Sequence, residues 1–440
     1  MWDIIFDMAS VLRFAMSAFL SAAVAPVWAQ SAFTGNPPKP KPAFPRQTEA
    51  PKPARPSPAL NVETITNRLS SPFSLAFLPD GTFLVTESGG TMRIVRRDGV
   101  VSAPLAGVPD VKSMAAQGLH DVVLDPDFAR NRTLYFNYFA PPPGEAPAMW
   151  PTEFFYDNVW SKSLAERQTM QIGTEQAASA KLSADGRRLE DIKILAEGAE
   201  RRIVIAPDGK LLITGADRFR FYEEDYDGEE RDFTDNPDLR RNFSGRVLRI
   251  NRDGSIPGDN PWLSRATVPP TTFAHGLRDP EGAAINPATG ELWVTDHGPQ
   301  GGDEINIIRS GKDYGWPNVS YGTQYDVRRT DGRKNVPVGN GKTSMPGVEE
   351  PVYFWVPDIA PSGMMFYTGN LFPDWRGNLF VGGLEAQCLV RLVLDKNEVV
   401  AEERLLLDRK QAIRDIRQGP DGAVYLLTRS GSILRVTPKR

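Results

Sequence analysis

The sequence predicts an all-β fold, a six-bladed β-propeller. Three observations lead there. One strand–turn–strand pattern recurs six times, helical periodicity is weak almost everywhere, and no second linker divides the repeats. Two separate β domains would need such a linker, so a single closed ring is the simpler arrangement.

The copies run in order along the chain: "SPFSLAFLPDGTFLVTES" (71–88), "QGLHDVVLDPDFARNRTLYFNYF" (117–139), "RRIVIAPDGKLLITGAD" (201–217), "DPEGAAINPATGELWVTDHG" (279–298), "PSGMMFYTGNLFPDWRGNLFVGGL" (361–384) and "IRDIRQGPDGAVYLLTRSGSILRV" (413–436). Each has an apolar strand, a turn rich in Pro, Asp and Gly, and a second apolar strand. Proline presets φ for the reversal and glycine accepts positive φ, so the turn residues suit tight hairpins. Several copies continue into a third strand, as in "TMRIVRRDG". The copies are unevenly spaced, so several blades carry long loops, which are expected to cluster at one mouth of the central channel. Residues 153–173 form one long insertion with some helical character.

Ahead of the repeats, residues 1–29 read as a secretory signal. Residues 14–26 are apolar and small, and Val27 and Ala29 suit a cleavage point; Met8 makes a better start than Met1, leaving Arg13 as the leading charge. A periplasmic or secreted location, with no membrane span in the mature chain, is the expectation. Residues 30–60 are Pro-rich with scattered Lys and Arg, and are expected to be a disordered spacer; the propeller is assigned to 61–440.

Composition narrows the function. The 440 residues carry a net charge of −4 and 40% hydrophobic side chains, enough for a large core and without the basic face that nucleic acid requires. The single cysteine, Cys388, lies in an apolar run and reads as a core residue. The three histidines are His120, His275 and His297, and their spacing supports no three-histidine metal site. The acidic run 222–238 lacks the spacing of an EF-hand and reads as a solvated rim that disfavours anionic substrates.

The stretch "DHGPQGGDEINIIRSGKDYGWPNVSYG" (296–322) is the most informative. Its glycines are expected to let backbone approach a ligand closely. Asp303 and Glu304 then place carboxylate oxygens beside backbone carbonyls, the donor set that Ca²⁺ takes. A glycine turn with solvated acids is the plainer alternative.

That stretch, with "RDPEGAAINPATGELW", "PDIAPSGMMFYTG", "WRGNLFVGGL" and "IRDIRQGPDGAVYLLT", resembles the soluble pyrroloquinoline quinone (PQQ)-dependent sugar dehydrogenases of the glucose/sorbosone dehydrogenase family, over most of 62–438. The resemblance implies a six-bladed propeller that binds PQQ and Ca²⁺ at the channel mouth. It implies oxidation of a sugar or sugar aldehyde at C1, by hydride transfer to the quinone while a histidine takes the proton; the electron acceptor stays unidentified. Matched residue by residue, Glu304 and Tyr314 take the places of calcium ligands. Gly298 and Pro299 match backbone near the cofactor's own calcium. Arg278, His297 and Tyr325 match residues around the quinone, with Arg278 placed to stabilise negative charge. Asp279 stands for the usual asparagine, and Arg414 matches one arginine of a carboxylate clamp.

Four departures stand beside these matches. Where relatives carry H-F-G-G-R this chain reads "GAERR", so Gly198 replaces the base histidine. Clamp cations fall at Glu385 and Ala412, a loss expected to weaken binding of a tricarboxylate cofactor. The usual Q-G-G-L-L-D reads "AQGLHD", which shifts the glutamine to Gln117 and introduces His120, a candidate for the vacated base role. Three readings stay open: a divergent quinoprotein, a non-catalytic propeller binding a sugar or other small ligand, and a scaffold whose insertions bind a protein partner.

Overall fold

The computed structural model describes residues 39–114, 118–145, 149–150, 173–217, 245–325 and 333–439. The expected signal at 1–29, Gln117, the insertion 153–172 and the acidic run 222–238 lie outside these residues. Among the described residues, helix is confined to single turns such as Phe128–Asn131, and no helix is long and apolar enough to cross a membrane.

All six copies are the inner halves of antiparallel sheets. The inner strands are Pro72–Phe77, Leu119–Leu124, Ile203–Ile205, Gly282–Ile285, Pro361–Phe366 and Ile413–Gln418. Each touches the next in that order, and the sixth touches the first, which closes the ring. Closure is also built into the last sheet. The strand Leu60–Thr66 pairs with Ile433–Pro438 at its outer edge, so the start and end of the propeller share one blade.

The second strand of a blade lies between two neighbouring sheets and is apolar on both faces. Phe83–Glu87, Leu211–Gly215, Leu292–Asp296, Leu379–Gly383 and Val424–Thr428 are buried throughout. Their period-two alternation sorts side chains between partners. Leu84 packs towards Leu134 and Phe136 of the second sheet, while Phe83 and Val85 pack towards Tyr425 and Leu427 of the sixth. Trp293 likewise faces Met364 and Phe366 of the fifth sheet, and Leu292 and Val294 face Leu212 and Val247 of the third. Further clusters fill the second-to-third and fifth-to-sixth contacts. Cys388 sits fully buried in the cluster between the fourth and fifth sheets, and burial pushes its thiol up to about 11, as suits a core residue.

Residues 39–59 depart from the disordered spacer expected of 30–60. They lie against the outer edges of the fourth and fifth sheets, and their hydrogen bonds explain why. The Gln47 carbonyl accepts from Phe354 N at 2.8 Å, and the Pro51 carbonyl accepts from Glu402 N at 2.9 Å. Gln47 is fully buried, and its Nε2 donates to Pro351 O at 2.8 Å. Ser57 Oγ donates to Glu403 at 2.7 Å and accepts from Trp375 Nε1 and Arg391 Nη1. A Pro-rich segment has few amides but every carbonyl, and edge strands offer unpaired amides, so the two complement each other.

Candidate functional site

The channel is filled by polar side chains from the inner strands. Arg202 Nη1 donates to Asp415 Oδ1 at 3.1 Å and lies 3.6 Å from Asp121 Oδ1. Its other nitrogens donate to the carbonyls of Glu281 and Arg414. Arg417 donates to Asp415, Ser74 and Asp121. One network thus joins the first, second, third, fourth and sixth blades.

At one end of this network stands a buried ionic cluster. Arg201, 1% exposed, donates from Nε to Asp279 Oδ1 at 2.8 Å and lies within 3.7 Å of Glu281 and 3.6 Å of Glu200. Arg414 Nη1 donates to Glu281 at 2.7 Å. Burial opposes ionisation of Glu281, but Arg414 and then Arg201 hold it well below the usual carboxylate range. Glu200 is 1% exposed and, among the described residues, neither carboxylate oxygen has a hydrogen-bond donor; burial pushes it up to about 7.

Beside the cluster, Asp296 accepts the main-chain amides of Arg278 and Asp279 and so orients both. The Arg278 guanidinium donates to the carbonyls of His297 and Gly298, both at 3.1 Å, and lies over the rings of Trp316 and Tyr325. Trp316 is fixed by its own Nε1 bond to Asp217, at 2.6 Å. Burial holds His297 neutral, and its Nε2–H donates to Pro361 O at 2.6 Å. Arg278, Asp279, His297, Gly298, Tyr325 and Arg414 are therefore linked through one set of contacts.

His120 differs from its expected role. Its ring is 1% exposed and stacks on Phe73 at 4.3 Å, and Nδ1 contacts the carbonyl of Glu200. Burial, then the Arg201 charge, pulls it down to about 3. A ring so weakly basic, with Nδ1–H committed to a carbonyl, braces the Glu200 backbone and is a poor proton acceptor.

Two expectations for 296–322 also change. Asp303 offers no free oxygen: Oδ1 accepts from Gly298 N, and Oδ2 accepts from Ile359 N and Ala360 N. Its task is to staple the loop. The glycines serve the same packing. A Cβ on Gly302, at φ +83°, would lie 2.5 Å from Gly322 N, and one on Gly322 would lie 2.2 Å from Gly301 O. Here loop meets loop, and no side chain fits between.

Glu304 and Tyr314 do share a cavity, together with Gly276, Asp296 and Gly302. Among the described residues the Glu304 carboxylate accepts from Asn306 Nδ2 at 3.1 Å; burial, then the Asp296 charge, pushes it up to about 8. The Tyr314 hydroxyl is engaged, donating to Ile307 O and accepting from Arg309 N, so this residue offers a cation its backbone carbonyl. An under-paired carboxylate beside carbonyls suits a hard divalent ion such as Ca²⁺.

One further cation, which the sequence reading missed, stands near Arg414. Arg429 follows the strand Val424–Thr428, and its N–H donates to the carbonyl of Ala412, the position of an absent clamp arginine. Burial, then the Arg414 charge, pulls Arg429 down to about 9. Two crowded, half-buried arginines on one blade suit an anionic group of a ligand.

A six-bladed propeller with an ionic channel mouth and an acid-lined loop cavity on its fourth blade is the class of protein that fold and site define. The chain belongs to the glucose/sorbosone dehydrogenase family, whose model matches residues 69–435. An aldose sugar dehydrogenase of Escherichia coli is 34% identical over 388 residues, 86% of this chain and 93% of that protein. Quinoprotein glucose dehydrogenase B of Acinetobacter calcoaceticus is 26% identical over 423 residues, 83% of this chain and 84% of that protein. The crystal structure of the soluble aldose sugar dehydrogenase of Escherichia coli in its apo form superposes with a TM-score of 0.71 at 31% identity, over 87% of this chain and 100% of that chain.

Proposed function

We propose that the protein is a sugar dehydrogenase that oxidises the C1 hydroxyl of an aldose or a related sugar aldehyde with PQQ, supported by Ca²⁺. The observation that carries this reading is the convergence of Arg278, Asp279, His297 and Arg414 on one mouth, in a family whose relatives include an aldose sugar dehydrogenase and a quinoprotein. When bound, the quinone supplies a hydride acceptor. The protein's own residues do the rest. Arg414 and Arg429 offer two guanidinium groups to carboxylates, in place of the clamp lost at Glu385 and Ala412. Arg278, pinned by carbonyls and stacked between two aromatic rings, presents fixed positive charge where negative charge develops. The Glu304 cavity fits a calcium ion that would tie the strand Asp303–Ile308 to Tyr314 and so brace the loop bearing Gly298 and Pro299. The substrate stays a neutral sugar, and the electron acceptor is outside what these residues define.

A second reading is a non-catalytic propeller that binds a sugar or a protein partner, favoured by Gly198 at the histidine position. One experiment separates the two. Purified apoprotein is titrated with PQQ and Ca²⁺ while quinone absorbance and aldose-driven dye reduction are followed. Uptake at micromolar quinone with turnover supports the dehydrogenase; no uptake leaves the binding propeller.

A further inference from the structure

We infer that Glu200 is the proton acceptor of this site, doing from inside the ionic cluster what a histidine at position 198 does in relatives. The inference rests on the dehydrogenase reading above and deepens it.

Four observations support it. Glu200 lies two residues beyond the vacated position, in the segment that leads into the inner strand Ile203–Ile205. Its carboxylate is buried, yet neither oxygen receives a hydrogen bond from the described residues, which is rare for a charged group unless something else is to occupy it. Its backbone is held on one side by the His120 ring, itself clamped on Phe73, so the segment is fixed in place. Lastly, Glu200 shares Arg201 with Asp279 and Glu281, which come from the fourth blade beside Arg278.

The groups facing Glu200 differ in their state. Arg201 is a buried cation whose Nε is already paired with Asp279, so its attraction for Glu200 acts at 3.6 Å without a bond. Asp279 and Glu281 are acids, and both disfavour a negative Glu200; His120 is neutral. The result is a carboxylate raised to about 7, where a general base works best near neutral pH. With a bound quinone as the hydride acceptor, Glu200 would take the proton as the O–H bond of the C1 hydroxyl breaks, the C1–H bond would be lost with its electron pair, and the O–H electrons would form the C1=O bond of the lactone. Charge and atoms balance with the quinone as the oxidant.

The test is Glu200→Gln, which keeps shape and removes basicity, with Glu200→Asp beside it. Expected: the Gln variant takes up PQQ within threefold of wild type, loses at least 100-fold in kcat with little change in KM, and loses the acid limb of the kcat–pH profile. The Asp variant recovers at least tenfold of that loss. A Gln variant within threefold of wild-type kcat, or with its acid limb intact, overturns the inference. An infrared titration of the apoprotein is the second readout: Asp296, Asp358 and Glu304 are also raised and titrate in both proteins, so the expected result is one carboxyl band near neutral pH in the wild-type-minus-Gln difference spectrum. A difference spectrum without that band overturns the assignment of Glu200. If the band behaves as expected but wild type binds no quinone, the cofactor reading fails, and the base role falls with it while the titrating carboxyl stands.

Discussion

Arg202 Nη1 lies 3.1 Å from Asp415 Oδ1, a bond that ties the third inner strand to the sixth across the channel. Both side chains are 2% exposed, and Arg202 also satisfies the carbonyls of Glu281 and Arg414. Removing Arg202 takes a donor from buried Asp415 Oδ1 and from two carbonyls, while Arg417 and Leu75 N still reach Asp415 Oδ2. Arg202→Ala is therefore expected to lower unfolding stability by about 3–5 kcal/mol. Urea denaturation followed by tryptophan fluorescence measures it. A loss under about 1 kcal/mol would show that the channel network is dispensable.

Calcium dependence is expected to reside in Glu304. For wild type, chelation should lower the melting temperature by roughly 5–10 °C, since a ligand at about 100 times its dissociation constant contributes about 2.7 kcal/mol and each kcal/mol moves a large domain by about 2–4 °C. Glu304→Gln should melt at the chelated value and ignore added calcium. Tyr314→Phe loses a hydroxyl bonded to Ile307 O but keeps its carbonyl, so it should be less stable and still respond to calcium. Calorimetry on the three proteins decides; a Tyr314→Phe protein deaf to calcium would contradict the carbonyl assignment.

Arg429 is expected to matter for quinone binding as much as Arg414. Arg429→Ala should weaken PQQ uptake at least tenfold, and Arg429→Lys should restore only part, because an ammonium lacks the planar fork that pairs with a carboxylate. Equilibrium titration by quinone absorbance is the measurement. Unchanged affinity in Arg429→Ala would mean that the clamp lost at Glu385 and Ala412 has no replacement.

These substitutions probe features that differed in how readable they were. The blades were legible because the Pro-Asp-Gly turns and alternating apolar strands are local signals, and local signals survive in one dimension. Arg278, Asp279, His297 and Arg414 were singled out because they sit in stretches that resemble a family. Arg429 was not, because only the pairing of its main-chain amide with Ala412 O, just past the strand Val424–Thr428, brings it near Arg414. Glu200 was hidden for another reason: what distinguishes it is burial without a donor, and no residue pattern reports that. His120 misled because a histidine in a pocket-lining segment is read as basic, whereas packing on Phe73 and proximity to Arg201 remove its basicity.

The segment 39–59 was misread from composition alone, and Gln47 tests what it does. The side chain donates to Pro351 O, accepts from Ala43 N, and its own carbonyl caps Phe354 N on the outer edge of the fourth blade. Gln47→Ala strands a buried carbonyl and is expected to cost about 1–3 kcal/mol. Protease cleavage ahead of Leu60 should accelerate well before global unfolding. Equal cleavage rates in wild type and variant would mean that the segment does not depend on this anchor.

Glu200 and His120 should give stability opposite dependences on pH. Glu200 is raised in the folded protein, from 4.5 to about 7, so its contribution is full below about 4.5 and is lost as pH rises through about 7. His120 is depressed, from 6.5 to about 3, so its contribution is full above about 6.5 and is lost as pH falls towards about 3. At 1.36 kcal/mol per pH unit each window spans about 3–5 kcal/mol, and the two overlap between about pH 4.5 and 6.5 with opposite slopes. Wild type should therefore be comparatively flat there as far as these two groups are concerned. Glu200→Gln removes the loss towards neutral pH, so relative to wild type it should gain stability steadily from pH 4.5 to 7. His120→Asn keeps a donor for the Glu200 carbonyl but cannot take a proton, so relative to wild type it should gain as pH falls from 6.5. Urea midpoints at half-unit intervals give both difference curves. If the Glu200→Gln difference is flat, or rises with acidity, that carboxyl is not the raised one, and the electrostatic account of the mouth is wrong at its centre.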